Sequence, residues 1–261
     1  MTYGTLSIEQ SDAVCVITLD NPEQHNPLSI DAARELTDAL IRADGDDGTR
    51  AVVLTGAGDS FSAGGDIEEF TDQLDNPATT VYEDGAATAE LFALLTTYET
   101  PLITAVNGGA FGGGCGLVAA SHVAYADPDA RLGTTEISLG LFPMVILPAM
   151  RRAVGDRTTM ELALTGRRLD AQKASEIGLV TEVVTDGDAL DRALETARAI
   201  AEYSPFATSL GLNAFHHTSS LEPEVAIPVL NAYRVLFYKS HDLNEGASAF
   251  LEGREPEWKG R

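Results

Sequence analysis

The sequence predicts an α/β core over residues 1–188 and a helical C-terminal region over residues 189–261. Short apolar runs rich in β-branched residues alternate with segments of helical periodicity, which is typical of parallel strands joined by crossover helices. From Ala189 onward the chain instead carries three successive apolar stripes at helical spacing. No low-complexity linker separates the two parts, so we expect one continuous molecule.

Each predicted element has a local signal. Ser29 is a good N-cap and precedes apolar residues at helical spacing, so a helix is expected from Ile30. A second helix is predicted over residues 90–98, and a third that enters through Asp156. Four apolar runs bounded by glycine or polar residues predict strands, within residues 13–19, 51–55, 101–108 and 123–126.

The charge of the chain limits its partners. Asp and Glu total 40 against 17 Lys and Arg, a formal net charge of -23. We expect no nucleic-acid partner, because phosphate backbones are bound by basic surfaces. The acidic residues are spread along the chain, which predicts an acidic surface. Repulsion between these carboxylates destabilises the fold, and salt of about 1 M screens it because the Debye length falls to about 3 Å. We therefore expect a halophilic protein. An acidic enzyme that works at ordinary salt concentrations is the alternative.

The sequence shows no pattern typical of a membrane segment, a disulfide framework or a metal site. No run approaches the roughly 20 apolar residues that span a bilayer, and no leader pattern opens the chain, so we expect no membrane association and a cytoplasmic location. Cys15 and Cys115 lie far apart without ligand-like neighbours. We therefore expect no disulfide, no metal and no separate cofactor.

Two glycine-rich turns follow predicted strands. SFSAGGDIEEF (residues 60–70) places two glycines before a helix start at Asp66, and NGGAFGGGCGLVAASH (residues 107–122) places a glycine run at a helix N-terminus. Backbone N–H groups in such turns bind anionic oxygen atoms. No Gly-Lys-Ser/Thr ends either run and no acid is placed for a ribose, which argues against nucleotide motifs. An oxyanion site fits best; a phosphate cradle or a plain helix start stays open.

Glu136 is the candidate acid–base residue. It follows the second turn by about 20 residues and lies among small and apolar neighbours. Such surroundings disfavour a charged carboxylate and bring its pKa nearer to neutrality. A glutamate at a helix N-terminus, or one on the surface, is the alternative.

Several blocks in this order resemble the crotonase superfamily, the enoyl-CoA hydratases and isomerases. They are AVVLTGAGDSFSAGGDI, ITAVNGGAFGGGCGLVAASHVAYA and LGTTEISLGLFP, together with DNPEQHNPLS, LTGRRLDAQKASEIGLVTEVV and EGASAFLEGREPEW. The likeness spans nearly the whole chain. It implies a spiral of ββα units with a helical trimerisation region, a homotrimer or a hexamer of two trimers, and an acyl-CoA substrate of fatty acid metabolism.

The resemblance also implies site residues. The backbone N–H groups of Ala63 and Gly113 would stabilise the enolate oxygen of the thioester, while Glu136 carries the proton. CoA would be bound by residues of the early loop, the first turn and the C-terminal tail: Asn26, Leu28, Ser62, Gly65, Asp66, Ile67, Phe250 and Arg254.

One departure from the family pattern bears on the reaction. Hydratases of the family carry two glutamates that hold one water, and here the first falls on Gly116 and the second on Glu136. One carboxylate suffices to move a proton between the α and γ carbons, so the sequence favours a double-bond isomerase slightly over a hydratase. A 2-enoyl-CoA hydratase is the alternative, with Tyr82, Glu90 or Glu99 as the missing group.

Further departures concern the CoA phosphates. Gln24 and Gly253 stand where relatives often have lysines, and His122 stands in place of a usual aspartate. Arg254 and Lys259 are the remaining candidate cations, within the chain or on a neighbouring subunit.

Residues 142–146 predict an apolar wall that reshapes the acyl pocket. Two other functions stay open at this point: a CoA-thioester hydrolase or lyase of the same fold, and a non-catalytic acyl-CoA-binding protein.

Overall fold

The computed structural model describes residues 3–186 and 188–261 and has a mixed α/β fold. Its strands in this part of the chain are β1 (Leu6–Ser11), β2 (Val14–Leu19), β3 (Ala51–Gly56), β4 (Ser60–Ser62), β5 (Leu102–Val106), β6 (Gly109–Phe111), β7 (Val123–Ala126), β8 (Arg131–Gly133), β9 (Leu169–Asp170) and β10 (Glu182–Val183). Its α-helices are α1 (Ile30–Asp44), α2 (Ile67–Asp72), α3 (Ala78–Leu95), α4 (Gly113–Ala120), α5 (Leu147–Thr165), α6 (Ala171–Glu176), α7 (Ala189–Ala201), α8 (Pro205–Thr218), α9 (Pro223–Lys239) and α10 (His241–Glu252).

The first sheet has the order β1-β2-β3-β5-β7-β10. β1 and β2 form an antiparallel hairpin, and the other neighbouring pairs are parallel. Every residue of β3 is buried, as expected for a parallel strand that is covered on both faces. The parallel pairing predicted from the strand–helix alternation is therefore confirmed.

The second sheet is small and carries the candidate site. Its order is β4-β6-β8-β9, with β4, β6 and β8 parallel and β9 antiparallel to β8. β4 leads into the first glycine turn, β6 into the second, and β8 toward Glu136. Because parallel strands end at the same edge of a sheet, all three segments meet there.

Two apolar clusters cover the faces of the first sheet. The larger one includes α1, α3, α4 and part of α5, and the smaller one packs Ala189, Ala193 and Ala197 of α7 against β2, β3, β5 and β7. α7 thus packs with the α/β core, although it lies beyond the predicted boundary after residue 188. That boundary stays a prediction, and residues 1, 2 and 187 of the predicted core lie outside the described residues.

Five of the predicted strand and helix starts agree with the structure. The strand and helix starts near Val14, Ile30, Ala51, Leu102 and Val123 are confirmed, and the Ser29 hydroxyl accepts the Ala32 N–H at 3.1 Å as a cap. The helix expected over residues 90–98 was wrong in its bounds, because α3 begins at Ala78 and ends at Leu95.

The helix predicted to enter through Asp156 is the second half of α5. Gly155 is non-helical there, with φ 76° and ψ 166°, and so separates the two halves. None of the described helices combines the length and apolar character needed to cross a bilayer.

Candidate active site

The two glycine turns meet at the edge of the second sheet. Gly64 has φ +93° and Gly112 has φ +49°, which glycine adopts at little cost. A Cβ at Gly64 would lie 2.8 Å from the Phe111 carbonyl oxygen, and one at Gly112 would lie 3.6 Å from Gly64 Cα. The two backbones are therefore in direct contact, and a side chain on either glycine would separate them.

Several backbone N–H groups beside this contact are unpaired within the described residues, among them those of Gly65 and Gly113. Gly113 is the first residue of α4, so its N–H precedes the first intrahelical bond, which Gly116 donates to the Gly112 carbonyl at 3.0 Å. The positive end of the helix dipole lies at the same place. These two amides are the donors that the turns offer to a ligand.

The N–H of Ala63 has another role. It donates to the His25 carbonyl at 2.8 Å, so this amide is already used within the fold. This amide is therefore not free for a ligand, as the prediction for Ala63 requires, whereas the amide of Gly65, two residues later, is unpaired within the described residues. The glycine pattern located the turn correctly, but the free amide in it depends on a loop nearly 40 residues earlier in the chain.

That loop, residues 25–28, holds the first turn in place. The Leu28 N–H donates to the Gly64 carbonyl at 2.7 Å, beside the Ala63–His25 bond. Asn26 is 1% exposed with φ 55°. Its side-chain amide donates to the carbonyls of Ala57 at 2.9 Å and Ser60 at 2.7 Å, and its Oδ1 accepts the Asn21 N–H at 2.9 Å.

Asn26 was expected to contact CoA, but these three bonds occupy its side chain. In the structure its side chain fixes the loop of residues 25–28 against the segment before the first turn. The sequence signal that marks it is an asparagine in a turn, a residue type that tolerates positive φ.

Glu136 lies against the second turn. It begins a short 3₁₀ helix, Glu136–Leu139, just after β8. A Cβ at Gly112 would lie 3.3 Å from its Oε1. Its Oε2 is buried and has no hydrogen-bond partner among the described groups.

Burial raises the pKa of Glu136 above its ordinary value, and a smaller effect of its own backbone N–H opposes the rise. No other charged group of the described residues contributes to this shift. Glu136 is thus a half-buried carboxyl group at the start of a short helix, and not a fully solvated one.

The space beside Gly116 is filled. A Cβ at Gly116 would lie 2.3 Å from Ile146 Cγ2 and 2.9 Å from Phe92 Cζ. No side chain fits there unless Ile146 moves. Ile146 belongs to the predicted apolar wall and is itself 1% exposed, whereas Met144 of the same wall is 67% exposed.

The other residues of the first turn have mainly structural contacts. Ser62 is fully buried, and its hydroxyl accepts the Gly64 N–H at 3.3 Å. Leu28 is buried and packs so closely on Gly113 that a Cβ there would lie 2.9 Å from its Cδ2. Asp66 caps α2 by accepting the Glu68 N–H at 2.8 Å. Ile67 is 54% exposed and is the apolar surface that this turn presents to solvent.

The expected tail contacts lie elsewhere in the chain. Phe250 is 85% exposed at the end of α10. Arg254 is bound by two carboxylates, with its Nη1 2.6 Å from Glu245 Oε1 and its Nε 2.7 Å from Glu252 Oε2. This arrangement leaves little of the guanidinium for a phosphate. The Lys259 N–H donates to Asp242 at 2.8 Å, which fixes the tail against α10.

The candidates for a second acid–base group are not brought to Glu136. Glu99 accepts hydrogen bonds from Ser209 at 3.0 Å and from Asn213, and so belongs to the contact with α8. Tyr82 is 82% exposed, and Glu90 is exposed on α3. Within the described chain, no three or more His, Cys, Asp or Glu residues lie together as a metal site.

Comparisons with known proteins identify the family of the chain. The family model described as Enoyl-CoA hydratase/isomerase matches residues 9–261. The chain is 35% identical over 243 residues to a putative enoyl-CoA hydratase of Thermus thermophilus, covering 93% of this chain and 96% of that protein. It is 31% identical to the 2,3-dehydroadipyl-CoA hydratase of Escherichia coli, covering 98% and 99%.

The crystal structure of an enoyl-CoA hydratase from Bacillus anthracis superposes with a TM-score of 0.91 at 31% identity, over 98% of this chain and all of that one. The fold and the glycine turns thus define a crotonase-type enzyme. The chain belongs to the enoyl-CoA hydratase/isomerase family.

Proposed function

We propose that the protein acts on an enoyl-CoA thioester, that the Gly65 and Gly113 amides bind the thioester oxygen, and that Glu136 transfers the proton. The observation that carries the proposal is the buried, unpaired Oε2 of Glu136 beside a turn whose own amides are unpaired. A buried carboxylate oxygen without a hydrogen-bond donor costs free energy. Such groups occur most often where a substrate supplies the hydrogen-bond partner. The expected function is retained, with Gly65 in place of Ala63.

The proposed reaction is a shift of the double bond. Glu136 takes a proton from the α carbon of a 3-enoyl-CoA, and the electron pair moves into the carbonyl to give an enolate. The two amides stabilise the negative oxygen, each by about 2.7–4 kcal/mol in comparable sites. Glu136 then returns the proton to the γ carbon, which leaves a 2-enoyl-CoA and regenerates the carboxylate.

The filled space at Gly116 favours this isomerase reaction over hydration. Adding water is easier when two groups orient it, and Ile146 and Phe92 occupy the place of a second group. Hydration of a 2-enoyl-CoA is the second candidate, because the curated relatives described above carry hydratase names. In that reaction Glu136 alone would activate the water.

The test is an assay of the purified protein in high salt with 3-enoyl-CoA and 2-enoyl-CoA substrates. Migration of the double bond supports the isomerase, and a 3-hydroxyacyl product supports the hydratase. Glu136→Gln should abolish either activity. Free CoA as the main product would favour a thioester hydrolase of the same fold, and binding without turnover would favour a non-catalytic acyl-CoA-binding protein.

The quaternary structure that we propose is a trimer, alone or paired into a hexamer, built through the C-terminal helices. These helices expose apolar side chains that a monomer would leave in water. They are Phe215, Val225, Ile227, Leu230, Val235, Leu236, Tyr238 and Leu243, together with Phe250 and Leu251. Light scattering should give three or six times the chain mass of 27.6 kDa. A monomer at micromolar concentration would contradict this assembly.

Adaptation to high salt is the last part of the proposal. Within the described residues only one acidic side chain, Asp242, is among the buried groups, so the acid coats the surface. We expect the fold to be lost on dialysis to low salt and recovered in about 1 M salt. Circular dichroism measures this, and an unchanged spectrum at low salt would contradict it. The cytoplasmic location expected from the sequence stays a prediction.

A further inference from the structure

A second polar cluster lies on another part of the core, where α4 and α5 face α8. It consists of His122, Arg152 and His216. His122 and Arg152 line a cavity of about 400 Å³, which we call the His–Arg crevice. The rest of its lining is mostly small or apolar, with Ser121, Thr181, Leu212 and Phe215 at its sides. Nothing in the proposed reaction uses these groups.

The protonation of both histidines follows from their partners. His122 Nδ1 accepts the Leu102 N–H at 2.9 Å, so neutral His122 carries its proton on Nε2. His216 Nε2 lies 3.1 Å from the Tyr98 carbonyl oxygen, and its Nδ1 lies 3.3 Å from Arg152 Nη1. A carbonyl only accepts and a guanidinium only donates, so His216 also carries its proton on Nε2.

The crevice therefore has more donors than acceptors. The two Nε2 atoms lie 3.4 Å apart, and with a proton on each neither can accept from the other. The Nε2–H of His122 is then left without an acceptor.

Arg152 is in a similar position. It donates weakly to the Ala120 carbonyl, at 3.4 Å, and has no carboxylate within ion-pair distance among the described residues. Its side chain is exposed, so an ion from solvent can reach it.

Protonation of the histidines makes the shortage of acceptors worse. Burial, together with smaller effects of the nearby His216 and Arg152, lowers the pKa of His122 to about 4. The pKa of His216 is also lowered, first by burial and then by Arg152, while Glu99 opposes this. Glu99 itself is already bound to Ser209 and Asn213. At neutral pH the crevice thus has one permanent positive charge and two neutral rings.

We propose that the His–Arg crevice binds one chloride ion, held by the Nε2–H of His122 and the guanidinium of Arg152. One fixed positive charge matches a monovalent anion better than phosphate, which carries about 1.5–2 negative charges at neutral pH. Chloride accepts several N–H donors at once and has none of its own. At the high salt concentration expected from the acidic surface, the chloride ion would accept these N–H groups and stabilise the contact between α5 and α8.

The first test compares thermal unfolding in about 1 M potassium chloride and in potassium gluconate of equal ionic strength. Gluconate is too large and too highly hydrated to replace chloride in the crevice. General salt effects act equally on all variants, so the informative quantity is the chloride-minus-gluconate difference in Tm. We expect this difference to be about 3 °C larger in the parent protein than in Arg152→Met.

Two further variants sharpen the comparison. His122→Asp supplies a carboxylate to Arg152 from within the chain, so its Tm should lose the extra response to chloride while remaining at least as high as that of the parent in gluconate. His217→Asn removes an exposed histidine of α8 and should keep the full response. An equal chloride response in the parent and Arg152→Met would overturn the proposal.

A direct measurement does not depend on the variants. Crystals soaked in bromide should give an anomalous peak in contact with His122 Nε2 and the Arg152 guanidinium. Bromide found only at other positions, or phosphate displacing it at equal concentration, would refute the chloride site.

Discussion

In the part of the chain that the structure describes, polar groups of the candidate site at the second sheet lack hydrogen-bond partners, whereas those of the C-terminal tail are paired. At the site, the Glu136 Oε2 has no donor and the Gly65 and Gly113 amides have no acceptor within the described chain. In the tail, Arg254 is bound by Glu245 and Glu252. Both regions were expected to contact the substrate. Unpaired groups mark the place where a ligand completes the hydrogen bonding, whereas paired groups are already used by the fold.

Asp242 extends the same contrast. It is 2% exposed and accepts from Ser204 at 2.6 Å, Lys259 N–H at 2.8 Å and Gly260 N–H at 3.1 Å. Burial opposes its ionisation, but these bonds together hold its pKa below the ordinary value. The half-buried carboxyl of Glu136, whose Oε2 lacks such donors among the described groups, has its pKa moved the other way. The number of donors around a half-buried or buried carboxylate thus decides the direction of its pKa shift.

The largest effect is expected for Gly64→Ala. Its Cβ would lie 2.8 Å from the Phe111 carbonyl at φ +93°, so we expect a loss of about 2–4 kcal/mol in the free energy of unfolding. The displaced Gly65 amide should lower kcat at least about 100-fold. Urea unfolding and the enoyl-CoA assay measure the two effects.

The matched control is Gly211→Ala in α8, where a Cβ meets nothing within 4 Å. This change should stabilise by about 0.5–1 kcal/mol and leave the rate unaltered. Equal effects of the two substitutions would break the contrast between the glycines of the site and those of the C-terminal helices.

Asn26→Ala should come next in size. It removes three hydrogen bonds that fix the loop behind the first turn, so we expect kcat to fall about 10–100-fold with little change in KM. Glu35→Ala is the control, because its side chain also accepts three hydrogen bonds, from Gly4 N–H, Thr5 N–H and the Thr5 hydroxyl, but at the β1–α1 contact. Both variants should lose stability, and only Asn26→Ala should lose turnover.

These cases also separate what the sequence predicts from what it does not. Ser29, the glycine turns and Glu136 were predictable because the signal is local: a cap, a strand followed by glycines, a carboxyl group among apolar residues. All four strands of the second sheet are two or three residues long and have no usable periodicity. The choice between Ala63 and Gly65 depends on the His25 carbonyl, and the closure of the Gly116 space depends on Ile146. Such contacts between distant residues require the folded chain.

A smaller effect with a diagnostic sign is expected for the stability of Glu136→Gln. Because folding raises the pKa of Glu136, the folded protein binds this proton more tightly than the unfolded chain does. Stability from this group is therefore present below the unfolded value of about 4.3 and is lost as pH rises above it. At neutral pH Glu136→Gln should be more stable than the parent, and near pH 4 the two should converge.

Glu35→Gln should behave in the opposite way. Burial raises the pKa of Glu35, but hydrogen bonds from Thr5 and Gly4 outweigh it and hold the pKa below its ordinary value. This variant should be destabilised at neutral pH and approach the parent as pH falls. Urea unfolding between about pH 4 and 8 checks both variants; a Glu136→Gln protein that is less stable than the parent at neutral pH would mean that the Glu136 carboxylate has a donor after all.

The smallest effect is expected for Arg254→Met. Arg254, together with the Glu257 N–H, lowers the pKa of Glu245 to about 2, yet Arg254 and Glu252 are exposed, so salt should screen most of the contribution of these charges to stability. We expect a slightly lower Tm in dilute buffer, no difference in about 1 M salt, and the same KM for the acyl-CoA, because the two glutamates already occupy the guanidinium. A clear rise in KM at unchanged Tm would instead show that Arg254 leaves Glu245 and Glu252 to bind a phosphate. The tail would then belong to the binding site, because the substrate phosphate would replace the two glutamates as the partner of Arg254.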